Sequence, residues 1–119
     1  MQNLNQINND VPILKKTFDL YKEFYQYLKV IPKKDQYMIG KRCEEYILIF
    51  MELILSAVEF QKPEKLKILK QANGKFEVLK VLIRLTRELK ILDNKKYLSL
   101  TTEMQEIGKM LGGWMKSLQ

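Results

Sequence analysis

Lys80, Arg84 and Arg87 stand at i, i+4 and i+7 within LKVLIRLTRELK (79–90). On an α-helix that spacing lines three cations along one face. Two of the chain's three arginines are in this row. A guanidinium offers a planar fork of donors that fits phosphate or carboxylate oxygens. Lys62, Lys70 and Lys90, with Lys65, Lys67 and Lys75, lie in the same stretch, which holds nine basic and three acidic residues over 62–90. The segment before it is neutral, so nearly all of the chain's net charge of +7 is concentrated here. Such a row does electrostatic chemistry: it neutralises the backbone of a polyanion, RNA or DNA, with little sequence readout. Few aromatic residues are interleaved in it, so base stacking is not expected there. The alternative is a solvated face paired with Glu45, Glu52 and Glu59 of the preceding helix, yet three carboxylates are too few for nine cations.

Other chemistries lack their residues. The chain has no histidine, which excludes Ser–His–Asp and Cys–His catalysis and the Glu-x-x-His ligand sets of di-iron bundles. Cys43 is alone and reads as a buried, inert thiol. No metal-ligand set and no phosphate-cradling glycine loop is present, so neither catalytic residues, nor a metal, nor a cofactor is expected. No run of 18 apolar residues suggests a membrane span, and MQNLNQINND lacks the basic start and apolar middle of a signal peptide. The expectation is a cytoplasmic protein that does not engage membranes, with a flexible tail over residues 1–11.

The elements that must position the basic row are legible from prolines and apolar spacing. The sequence predicts a first helix over about 12–30, opened by Pro12 and stopped before Pro32, with Leu14, Phe18, Tyr21, Tyr25 and Leu28 as its apolar face. The aromatics of FDLYKEFYQY (18–27) fit core and interface better than a stacking platform, with Tyr25 and Tyr27 the ones expected at the surface. A second helix is expected from Lys34 to Phe60. Its half YILIFMELILSAVEF (46–60) is apolar at twelve of fifteen positions, leaving one narrow polar stripe. A helix covered over most of its circumference hints at an oligomer. The third helix is predicted from Pro63 to Lys90, continuous across Asn73-Gly74, burying Leu79, Leu82, Ile83, Thr86 and Leu89. Asp93 is placed to cap a fourth, which runs through Leu98, Thr101, Met104, Ile107 and Leu111 to about Lys116. Short connections force antiparallel neighbours, giving an all-α, up-down-up-down four-helix bundle over 12–117.

The fourth helix carries three of the five glycines and the only tryptophan, in EIGKMLGGWMKS (106–117). Each glycine inside a helix costs about 0.5–1 kcal/mol relative to alanine. Gly108 and Gly112 share a face and remove side chains from one strip, which admits the close approach of another helix or of a ring such as Trp114 of a neighbour. Alternatively, Gly112-Gly113 is where the helix frays.

IGKMLGGWMKS (107–117) resembles the C-terminal signature of the accessory variability determinant family of diversity-generating retroelements. LYKEFY (20–25), PKKDQYMIGKRCEE (32–45), ILKQAN (68–73) and LKVLIRLTRELKIL (79–92) are similar to that family in the same order and spacing, so the likeness spans nearly the whole chain from Val11. In fold that family is similar to the four-helix proteins encoded in ribosomal RNA intervening sequences. Those carry a segment like SIxxNIAEG where this chain has GKRCEEYILIF, which favours the accessory branch. The resemblance implies a non-enzymatic, basic four-helix bundle that forms a homopentameric barrel. It also implies binding to the element's reverse transcriptase and to nucleic acid, in support of mutagenic copying of a template RNA into complementary DNA. It favours a tight helical contact at Gly108 and Gly112 over fraying. The alternative from another class is a stand-alone bundle of the intervening-sequence type whose basic face docks an acidic protein.

Overall fold

The computed structural model describes residues 11–119. Four long helices make up the fold: α1 (Pro12–Leu28), α2 (Lys41–Glu59), α3 (Glu64–Glu88) and α4 (Asn94–Ser117). No strand occurs among the described residues. Each helix packs on its neighbours in sequence, most extensively α2 on α3, and α4 closes the bundle against α1. This is the four-helix bundle that the proline and apolar spacing predict. Of the expected flexible tail, residues 1–10 lie outside the described residues. Among the described residues, no helix is long and apolar enough to cross a membrane.

The second helical run begins where expected but not as a plain α-helix. Lys33–Asp35 makes one turn, Gln36–Gly40 widens into a π-helical turn, and α2 proper follows. Gly40 explains the local geometry. A Cβ there would stand 2.7 Å from Leu28 Cδ2 and 3.0 Å from the Asp35 carbonyl oxygen. Only a bare Cα lets this turn close on the end of α1.

α3 runs unbroken through Asn73-Gly74, and a Cβ at Gly74 would meet nothing within 4 Å. It ends in a Schellman-type cap. Lys90 adopts a left-handed φ of 60°, Ile91 N donates to the Thr86 carbonyl at 2.8 Å, and Lys90 N donates to that of Arg87 at 2.9 Å. α4 starts at the expected cap, with Lys96 N donating to Asp93 Oδ1 at 2.8 Å. That bond, more than any other interaction, holds the Asp93 carboxyl below its usual range.

The core gathers Leu14, Leu20 and Phe24 from α1, Ile47, Phe50 and Ile54 from α2, Leu69, Phe76, Leu79 and Ile83 from α3, and Leu100, Ile107 and Leu111 from α4. Phe50 and Phe76 lean together across the α2–α3 seam, with ring centroids 4.9 Å apart. Cys43 is buried in this core, and burial pushes its thiol up to about 12, so it is unreactive near neutrality.

Three expected faces are turned. In α1 the buried set is Ile13, Leu14, Thr17, Leu20 and Phe24, not the row through Tyr21 and Tyr25. Tyrosines keep their hydroxyls where polar partners are: Tyr21 Oη donates to Glu44 Oε2 at 2.9 Å, and Tyr25 is exposed. Leu89, expected in the core, is 61% exposed because the α3 cap turns the chain away, and Leu92 is buried instead. Leu98 is exposed because the α4 core row runs through Leu100, about 200° further round the helix.

The uncovered apolar surface is also not where the sequence suggests. Most of α2 is buried or half-buried within one chain, with Leu48 its main exposed apolar residue. The outer face of α3 instead carries Val78, Val81 and Leu85, with Leu89 following at its C-cap, all exposed.

A basic groove between α3 and α4

The basic row lies where α3 faces α4. Lys80, Arg84 and Arg87 follow one another along α3, each exposed or half-buried. Their carboxylate partners come from α3 itself. Lys80 Nζ is 3.0 Å from Glu77 Oε1, Arg84 Nε 3.7 Å from Glu88 Oε1, and Arg87 Nη2 3.1 Å from the same oxygen. The two arginines hold the Glu88 carboxyl below its usual range, Arg87 most strongly through its hydrogen bond. None of the α2 glutamates pairs with the row, and Glu45 is 3.4 Å from Arg42 of its own helix. Exposed ion pairs of this kind add little to stability, so a phosphate can displace the carboxylates at little cost.

The other expected binding lysines do not join the groove. Lys62 precedes α3 at the opposite end from Arg87, and Lys70 lies about 80° round the helix from Lys80. Lys90 sits in the capping turn, where it lines a separate depression with Val30, Arg87 and Lys96. Among the described residues, none of these three lysines takes part in an ion pair.

α4 supplies the groove's second wall, which sequence reasoning missed. Tyr97, Thr101 and Gln105 recur at i, i+4 and i+8, and Gly108 continues the row. Two depressions run along it. One, of about 560 Å³, lies among Asn73, Phe76, Lys80, Gln105 and Gly108; the other, of about 380 Å³, among Lys80, Arg84, Tyr97 and Thr101. Lys80, Met104 and Gln105 line both, so the two adjoin. The Arg87 guanidinium lies 4.6 Å from the Tyr97 ring centroid. An aromatic therefore accompanies the basic row after all, from the neighbouring helix. The only signal in the sequence was the polar i, i+4, i+8 spacing on α4.

The glycines and tryptophan part company. A Cβ at Gly108 would touch Phe76 Cε2 at an ordinary 3.7 Å, and one at Gly112 or Gly113 would meet nothing within 4 Å. Among the described residues of the chain, no helix crowds this strip. Nor does α4 fray at Gly112-Gly113, because it continues to Ser117. Trp114 packs half-buried against its own core beside Val11, Pro12 and Met110, around an apolar depression of about 420 Å³, with Lys65 Nζ 5.9 Å from its ring.

The opposite side of α4 has contrary chemistry. There Glu103 meets Glu23 of α1, whose carboxylate accepts a hydrogen bond from Tyr27. Glu103 Oε2 is buried and has no hydrogen-bond partner among the described residues. Burial first, then the neighbouring Glu23 carboxyl, pushes Glu103 up to about 7. Protonated, it becomes a donor to Glu23, which is itself held low by Tyr27 and its other hydrogen bonds despite the opposing effect of burial. Lys16 of α1 closes the seam with its ammonium 2.7 Å from Glu106.

A family model described as bAvd-like matches residues 11–118, all four helices included. The chain belongs to the bAvd-like family. This agrees with the accessory variability determinant family that its motifs resemble. No curated protein matches the chain. In this bAvd-like chain the matched region contains both walls of the groove and the whole α1–α4 seam.

Proposed function

We propose that this bAvd-like chain is a non-catalytic, cytoplasmic accessory protein of a diversity-generating retroelement. It binds the element's reverse transcriptase and its nucleic acid, and it supports the mutagenic copying of template RNA into complementary DNA. The observation that carries this reading, beside the family, is the row Lys80, Arg84 and Arg87, of which Lys80 and Arg84 line the α3–α4 groove and Arg87 lies over Tyr97 at its end, held only by weak pairs within α3. The row engages phosphates. Binding is electrostatic, is shared by unrelated sequences and weakens steeply with salt.

The protein acts as a homopentamer. Val78, Val81, Leu85 and Leu89 support assembly, since an apolar row on the outer face of a helix gains by being covered. Five copies of a chain of net charge +7 present a strong field to a polyanion. Light scattering on the purified protein should report five subunits, and Leu85→Glu should release monomers that stay helical. A wild-type monomer at micromolar concentration contradicts the assembly. Co-purification with the element's reverse transcriptase tests the partner. The complex should survive a wash at moderate salt and be weakened by the double change Arg84→Ala/Arg87→Ala. Absence of any complex at low salt contradicts it.

A further inference from the structure

We propose that the α3–α4 groove is a seat for an unpaired base of a single-stranded nucleic acid, and that Gly108 is the residue that keeps the seat open. The inference rests on the phosphate-binding reading above and adds to it the class of strand preferred.

Glycine inside α4 needs a reason, because it costs the helix stability. Packing does not supply one: a Cβ at position 108 would fit against Phe76 Cε2 at 3.7 Å, an ordinary contact. What a longer side chain would do is fill the larger of the two depressions, which Gly108 lines. The glycine therefore keeps a surface site empty rather than letting two helices close.

The chemistry of that site fits one kind of occupant. Its floor includes the buried side chains of Phe76 and Met104, and its walls carry two amides, Asn73 and Gln105. Each amide offers both donors and an acceptor, the complement of a base edge. The rim is cationic: Lys80 and Lys109 stand against one carboxylate, Glu77, already bound to Lys80 at 3.0 Å, and Arg84, paired with Glu88 at 3.7 Å, lines the adjoining depression. A planar, uncharged heteroaromatic ring flanked by anionic linkers matches an apolar floor between amides and cations. Tyr97, about 16 Å along α4 from Gly108, gives a base further along the same strand a ring to stack on. Duplex keeps its bases paired and stacked, so it can use the rim but not the seat.

The test uses the whole chain, a labelled oligothymidine strand and a duplex of equal length, titrated at matched salt. Wild type should bind the strand more tightly than the duplex. Gly108→Leu should weaken strand binding about tenfold, the scale of one base contact, and leave duplex binding unchanged. Should Gly108→Leu not fold, Gln105→Ala, an exposed change, decides in its place: a loss confined to the strand supports the seat, and an equal or absent loss overturns it. Equal weakening on both probes, or a folded Gly108→Leu with full strand affinity, overturns it too. So does a change in subunit number in Gly108→Leu, which would assign the groove to a second copy. If wild type binds neither probe in a salt-dependent way, the phosphate-binding reading fails along with the seat. If both bind with steep salt dependence and Gly108→Leu changes nothing, only the seat fails.

Discussion

The two sides of α4 place charge in opposite settings. Toward α3, cations stand at the surface with loose carboxylate partners, and their positions are set by helix spacing alone. Toward α1, two carboxyls share a half-buried seam in which Glu103 is pushed up to about 7. Exposed charge is cheap to hold and easy to trade for a ligand's charge. Buried charge is costly, so it perturbs its own protonation and becomes part of the fold's stability. The groove side therefore belongs to binding and the seam side to folding.

The largest effect should come where groove and core meet. Phe76 lies under the groove and leans on Phe50. Phe76→Ala should cost about 3–5 kcal/mol in urea unfolding. A loss under about 1 kcal/mol, unlike any fully buried phenylalanine, would mean that the floor is not packed as described.

The seam comes next, through pH. Glu103 has a folded value of about 7, above its ordinary 4.5. Between those values the folded chain binds more protons than the unfolded one, so stability is full below about 4.5 and falls as pH rises through about 7. Glu23 is held low and acts the other way, losing stability only as pH falls below its ordinary range. Glu103→Gln should remove the fall between about pH 4.5 and about pH 7. Above that range, the variant should gain about 1 kcal/mol, much less than the full shift implies because the side chain keeps solvent contact. A wild-type stability that rises between pH 5 and about pH 7 would contradict a raised Glu103.

The smallest stability effect should be on the groove side. Arg84→Ala/Arg87→Ala should change unfolding by within about 0.5 kcal/mol for each substitution. A larger loss would move the row to the structural side of the comparison.

Much of the bundle was legible in the sequence because Pro12, Pro32, Pro63 and Asp93 mark helix ends by local chemistry. The basic row was legible too, since i, i+4 and i+7 on one helix need no tertiary knowledge. What escaped depends on two helices at once. Tyr97 joins the row only because α4 lies antiparallel to α3 in one register, and Glu103 is perturbed only because Glu23 sits across the seam. The face of α1 was misjudged because tyrosines count as apolar in a periodic pattern yet follow their hydroxyls to the edge. The π-turn at Gln36–Gly40 was hidden because an apolar period assumes regular turns; Gly40, which the packing does require, looked no different from Gly74, which it does not.

The central claim is that the α3 row binds phosphate while contributing little to the fold. The direct measurement is the slope of log K against log salt for a single strand, with wild type and Arg84→Ala/Arg87→Ala compared in samples whose unfolding is measured alongside. The account predicts a folded double variant whose slope is shallower by about 0.7 for each phosphate that the missing guanidinium groups leave unneutralised, with similar weakening on unrelated sequences. A folded double variant with the wild-type slope would contradict it and place the electrostatic face elsewhere on the molecule.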